Sequence, residues 1–90
     1  VTALKTGSAT SGTTAADIDT GITDVNEVRL IIRNHGSVTA YLGGSDVTAA
    51  NGFPVEAGEA YEWPVRVGRS GAVYHVVASG TCDLRWMAVA

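Results

Sequence analysis

Apolar and polar residues alternate with period two over most of this chain. In Glu27-Val28-Arg29-Leu30-Ile31-Ile32-Arg33, Val28, Leu30 and Ile32 fall on one face and Arg29, Ile31 and Arg33 on the other, which predicts a strand with a buried side. Asn34-His35-Gly36-Ser37 interrupts the pattern and Ser37-Val38-Thr39-Ala40-Tyr41-Leu42 resumes it, so the two runs read as a β-hairpin. Gly43-Gly44-Ser45-Asp46 breaks the alternation again, with Val47-Thr48 as a short bridge before the Asn51-Gly52 turn. Phe53-Pro54-Val55 is extended, because proline restricts the residue before it.

After the Glu56-Ala57-Gly58-Glu59 turn, Tyr61, Trp63, Val65 and Val67 alternate with Glu62, Pro64 and Arg66. Pro64 places that strand at a sheet edge or a bulge. The run from Ala72 to Ser79 sets Tyr74 and Val76 against Val73, His75 and Val77. A strand apolar on both faces is expected to be covered on both. A last strand runs from Cys82 through Leu84, Trp86 and Ala88, with Trp86 expected in the core. Turn signals recur every 8 to 12 residues or so, the rhythm of a β-sandwich. The fold class expected is therefore all-β, a small antiparallel β-sandwich of about seven to eight strands, jelly-roll or immunoglobulin-like. Residues 1–12 are an extended N-terminal arm or first strand, and residues 13–90 form the single sandwich domain.

Composition narrows the function classes. Nine acidic residues against six basic ones give a net charge of -3, the wrong sign for tracking a phosphate backbone, so nucleic acid is not an expected partner. With 46% hydrophobic and 17% charged residues the chain is too apolar for intrinsic disorder. No membrane span is expected, and the opening VTALKTGSAT lacks the basic head and apolar stretch of a secretory signal, so the expectation is a soluble chain assembled in the cytoplasm. A domain of this size hides only about 60 to 65% of its unfolded surface. Cys82 is the only cysteine, and His35 and His75 are the only histidines. Neither an internal disulfide nor a structural zinc site is available, and oligomerisation or docking on a partner is the expected source of extra stability.

Ala40-Tyr41-Leu42-Gly43-Gly44-Ser45-Asp46, then Asn51-Gly52-Phe53-Pro54-Val55, Ala57-Gly58-Glu59 and Ala78-Ser79-Gly80-Thr81 are each turn chemistry alone. Their order and spacing resemble a block found in small structural proteins of tailed bacteriophages, and the likeness covers roughly residues 28–90. The resemblance implies a non-enzymatic virion protein without catalytic residues or cofactor. In its most specific form this is a capsid decoration or cement protein on the outer surface of the head, binding across major capsid protein subunits as a homo-oligomer such as a trimer. The residues expected at such contacts are Val1, Thr2, Ala3 and Leu4 of a docking arm, with Phe53, Tyr61 and Trp63. The alternative is a virion-surface module, on a head fibre or tail accessory, that recognises host carbohydrate through the same aromatic rings.

Other chemistry is sparse. Asp17, Asp19 and Asp24 with Thr20 and Thr23 invite a calcium reading, but the spacing is not that of a calcium loop, and no metal site is expected. His35 reads as a turn residue and His75 as a strand residue at a contact face, with no nucleophile elbow nearby. Gly43-Gly44 lacks the Lys-Ser or Lys-Thr of a phosphate loop. Five arginines, Arg29, Arg33, Arg66, Arg69 and Arg85, stand beside a single Lys5. Arginine forks onto carboxylates across interfaces.

Overall fold

A computed structural model of the chain describes residues 4–18, 27–66 and 73–89. These residues form eight strands: β1 (Leu4–Ser11), β2 (Ala16–Asp17), β3 (Glu27–Asn34), β4 (Ala40–Gly43), β5 (Phe53–Val55), β6 (Ala60–Arg66), β7 (Tyr74–Val77) and β8 (Cys82–Val89). No helix occurs among the described residues. The chain is the expected all-β sandwich, with two four-stranded sheets in the orders β1-β8-β3-β6 and β2-β7-β4-β5. Every pairing is antiparallel. β1 pairs with β8, β2 with β7, β3 with β6 and β4 with β5, which is one long antiparallel ribbon rolled up on itself. That pairing makes the sandwich a jelly roll and decides against an immunoglobulin-like topology.

The alternation read from the sequence becomes the inside of the sandwich. Val28, Leu30 and Ile32 of β3 and Leu84 and Ala88 of β8 face Ala40 and Leu42 of β4, Val55 of β5 and Val77 of β7, and all are buried. Trp86 packs against this core half-buried. Its indole lies over Gly7 of β1, where an added Cβ would come within 2.5 Å of the ring. Leu4–Ser11 is paired along its whole length, from Leu4 opposite Val89 to Ser11 opposite Cys82, so this stretch is the first strand of the sandwich and not a free arm. Residues 1–3, with Val1, Thr2 and Ala3, lie outside the described residues.

Three local expectations change. The runs either side of Asn34 are not a hairpin: β3 joins one sheet and β4 the other, and residues 35–39 carry the chain between layers. Val47-Thr48 is not a bridge. Val47 is instead buried, its methyl within 2.9 Å of where a Cβ would stand on both Gly43 and Gly52, so the β4–β5 loop closes on a small plug. Finally, β7 is covered on both faces within a single chain, with Val76 and Val77 5% and 2% exposed, and its apolar faces do not by themselves call for a partner. Pro64 does sit on an edge strand, β6.

The crossing between layers is organised by Asn34, which is fully buried. Its Nδ2 donates to the carbonyls of Val38, at 2.7 Å, and Val55, at 2.8 Å. Its Oδ1 accepts from the Gly36 amide at 2.9 Å and the Cys82 thiol at 3.0 Å. The Asn34 amide donates to the Glu59 carbonyl and its carbonyl accepts from Gly58, where φ of 85° in the turn suits glycine. One side chain therefore ties both sheets and two turns together.

Candidate functional site

Phe53 and Tyr61 come from the edge strands β5 and β6, which lie one in each sheet. Tyr61 stands opposite Ile32 on the inner face and packs against the core, while Phe53 is 53% exposed. Their rings meet edge to face, with centroids 5.1 Å apart and planes at 85°, and they close the open side of the sandwich. Within this pair Phe53 is the exposed ring, and the edge-to-face setting does not make a flat platform of the two. Burial and the neighbouring Glu59 carboxylate raise the Tyr61 hydroxyl above its ordinary pKa. Leu4, at the start of β1, is 63% exposed. The backbone of Trp63 pairs with Leu30 on β6; its side chain lies outside the described residues. The structure thus brings Phe53 and Tyr61 together and sets Leu4 apart from them on the far edge strand.

The Ser and His side chains that meet are sealed inside. His75 Nδ1 lies 2.9 Å from Ser11 Oγ, and the two residues are 1% and 0% exposed, so neither reaches a substrate. Burial lowers the His75 pKa, partly offset by the Asp17 carboxylate. His75 is a bridge between sheets rather than a contact-face residue. Sequence reasoning missed this pair because only the packing of the β1 sheet on the β7 sheet places residues 64 positions apart side by side. Among the described residues no three His, Cys, Asp or Glu side chains cluster as a metal site. Residues 19–24 of the weighed calcium loop lie outside the described residues. Gly44 begins a turn in which the Val47 amide donates to its carbonyl at 3.0 Å, with no helix to receive a phosphate.

The edges of the two sheets differ in how open they are to further strand pairing. β2 has two residues, β5 has three and contains Pro54, and β6 contains Pro64. Each of those edges is short or interrupted by proline, which blunts strand pairing. β1 is the exception: eight residues, LKTGSATS, with one charge and no proline.

No family model matches the chain, and no curated protein matches it in sequence. Its fold is similar to that of a chain in a solved structure described as "Bacillus endospore appendages form a novel family of disulfide-linked pili", with a TM-score of 0.58 and 20% identity over 99% of this chain and 85% of that one. At that identity the likeness concerns the fold alone.

Proposed function

We propose that this chain is a non-enzymatic structural protein that acts by docking on a larger protein assembly, and in its most specific form is a decoration protein that cements the head of a tailed bacteriophage. The observation that carries the reading is β1, a long, weakly charged edge strand in a jelly roll whose other edges are blunted. Such an edge offers a row of backbone donors and acceptors to an extended segment of a neighbour. The order of turn motifs supports the phage form, and the fold likeness to a pilus protein supports the coarser statement that a sandwich of this kind serves assembly. Stabilisation of the shell follows from mass action: a protein that binds only the assembled, expanded state stabilises it by its binding free energy, multiplied over many copies.

The test is addition of purified protein to phage heads that lack a decoration protein. Stoichiometric uptake, with heads that survive higher temperature, is expected. Failure to bind heads, with growth of fibres from the protein alone, overturns the capsid form in favour of an appendage subunit. Retention on a glycan column without either behaviour returns the carbohydrate alternative.

A further inference from the structure

The strand registers set the outward side chains of the β1-β8-β3-β6 sheet in rows. One row runs Ser8, Arg85, Arg33, Ala60, and the next Thr6, Met87, Ile31, Glu62. In the first row two arginines, Arg33 and Arg85, stand directly across from each other in the β3–β8 register, flanked by small residues. Like charges in that position repel and destabilise a sheet. In the second, two half-buried apolar side chains lie side by side. The first row and, of the second, Thr6, Met87 and Ile31 but not Glu62 line a cleft of ≈ 530 Å³.

The two arginines are not equivalent. Arg85 is held by Asp83, with Nε 3.2 Å from Oδ1 and Nη2 3.0 Å from Oδ2. That contact fixes its guanidinium and draws the Asp83 carboxyl below its usual range. Arg33 has no hydrogen-bond or ion-pair partner among the described residues. The neighbouring Arg29 is already paired with Glu62 at 3.1 Å. In a chain of net charge -3, Arg33 therefore stands in a concave spot with no partner among the described residues, beside an apolar shelf.

We propose that this cleft is an interaction surface for an extended, carboxylate-bearing segment of a partner polypeptide. The carboxylate enters between Arg33 and Arg85, and an aliphatic side chain two residues along lies on Ile31 and Met87. Successive rows on a sheet face are two residues, or about 6.8 Å, apart. Side chains i and i+2 of an extended peptide have the same spacing, so an acid-x-aliphatic pattern fits both rows at once. Arg33 supplies the forked contact to the carboxylate, and Arg85, positioned by Asp83, supplies the second charge. This surface lies on the sheet face beside the β1 edge, sharing Thr6 and Ser8 with it, and holds for any partner with that pattern, capsid subunit or not.

The test is nuclear magnetic resonance of the full chain titrated with the blocked pentapeptide Thr-Glu-Thr-Leu-Thr and its Gln counterpart. The Glu peptide is expected to shift the Met87 and Ile31 methyls and the Arg33 side chain saturably, and added salt to weaken it. The Gln peptide and Arg33→Gln are each expected to weaken binding about tenfold or more, the worth of a hydrogen bond to a charged group. Arg33→Glu is expected to reject the Glu peptide and take up the corresponding Lys peptide. The exposed position of Arg33 keeps these variants folded, which unchanged Leu84 and Ile32 methyl shifts verify. Equal binding of Glu and Gln peptides, shifts mapping elsewhere, or full affinity in Arg33→Gln overturns the proposal.

Discussion

At the scale of single residues, this protein trades side-chain bulk and charge for close contact between neighbouring strands and between layers. Gly7 exists so that the Trp86 indole can lie on the β1 backbone: an alanine there would set its Cβ 2.5 Å from the ring. Gly7→Ala is expected to cost about 1 to 3 kcal/mol through overpacking. In the Trp86→Leu background the same change is expected to cost less, so a double-mutant cycle of melting temperatures reads the contact directly. His75 makes a different demand. In the unfolded chain it takes up a proton near its ordinary pKa of about 6.5, whereas burial lowers the pKa of the folded residue. The unfolded state therefore binds more protons as pH falls through that window, and stability is lost until the pH is below the folded value. Between roughly pH 7 and 5 the melting temperature of the parent is expected to fall more steeply than that of His75→Gln. Parallel curves would show that His75 is not held neutral in the fold.

At the scale of elements, the pattern of alternation located most strands, because burial of one face is written into neighbouring residues. β3 and β8 stand where the runs from Glu27 and Cys82 placed them, and the extended Phe53-Pro54-Val55 is β5. Connection was not legible in the same way. A polar, glycine-containing stretch turns the chain whether the next strand lies beside the last or in the other layer, so Asn34-His35-Gly36-Ser37 looked like a hairpin loop. The signal that separates the cases is Asn34 itself, at an inward position of the alternation where an apolar residue belongs. Its amide answers the part-buried carbonyl of Val38 and the carbonyl of Val55 inside the sandwich, where a polar group needs a partner. The cleft arginines were legible as an excess of Arg over Lys, but only the β3–β8 register makes Arg33 and Arg85 neighbours. Asn34→Ala is expected to cost about 2 to 5 kcal/mol, since two or more buried groups lose their partner. A fall in the urea midpoint with unchanged slope measures it. A loss no larger than that of an exposed asparagine such as Asn51 would mean that water replaces the side chain.

At the scale of the whole molecule, rolling one ribbon into two sheets brings the start of β8 into the middle of everything. Cys82 is 2% exposed, its thiol donates to Asn34 Oδ1, and burial pushes its pKa up. A buried, protonated thiol is a poor nucleophile, and it is covered by the crossing between layers, with Gly36 and Val38 against its Sγ and Asn34 tying that segment to both sheets. Cys82 therefore reports opening of this crossing, which is expected to come with opening of the whole sandwich because Asn34 holds it to both sheets. Labelling by a thiol reagent such as Ellman's reagent is expected to be slow in native buffer. Its rate is expected to rise with urea along the same slope as global unfolding measured by tryptophan fluorescence. A labelling rate insensitive to low urea would show instead that the Asn34 crossing opens locally. The same burial bears on assembly: whatever joins this protein to its neighbours, a disulfide through Cys82 would require the crossing over it to open. Assemblies formed by the intact protein are accordingly expected to be unchanged by reductant, and a reductant-sensitive dimer of the folded chain would contradict the buried position of the thiol.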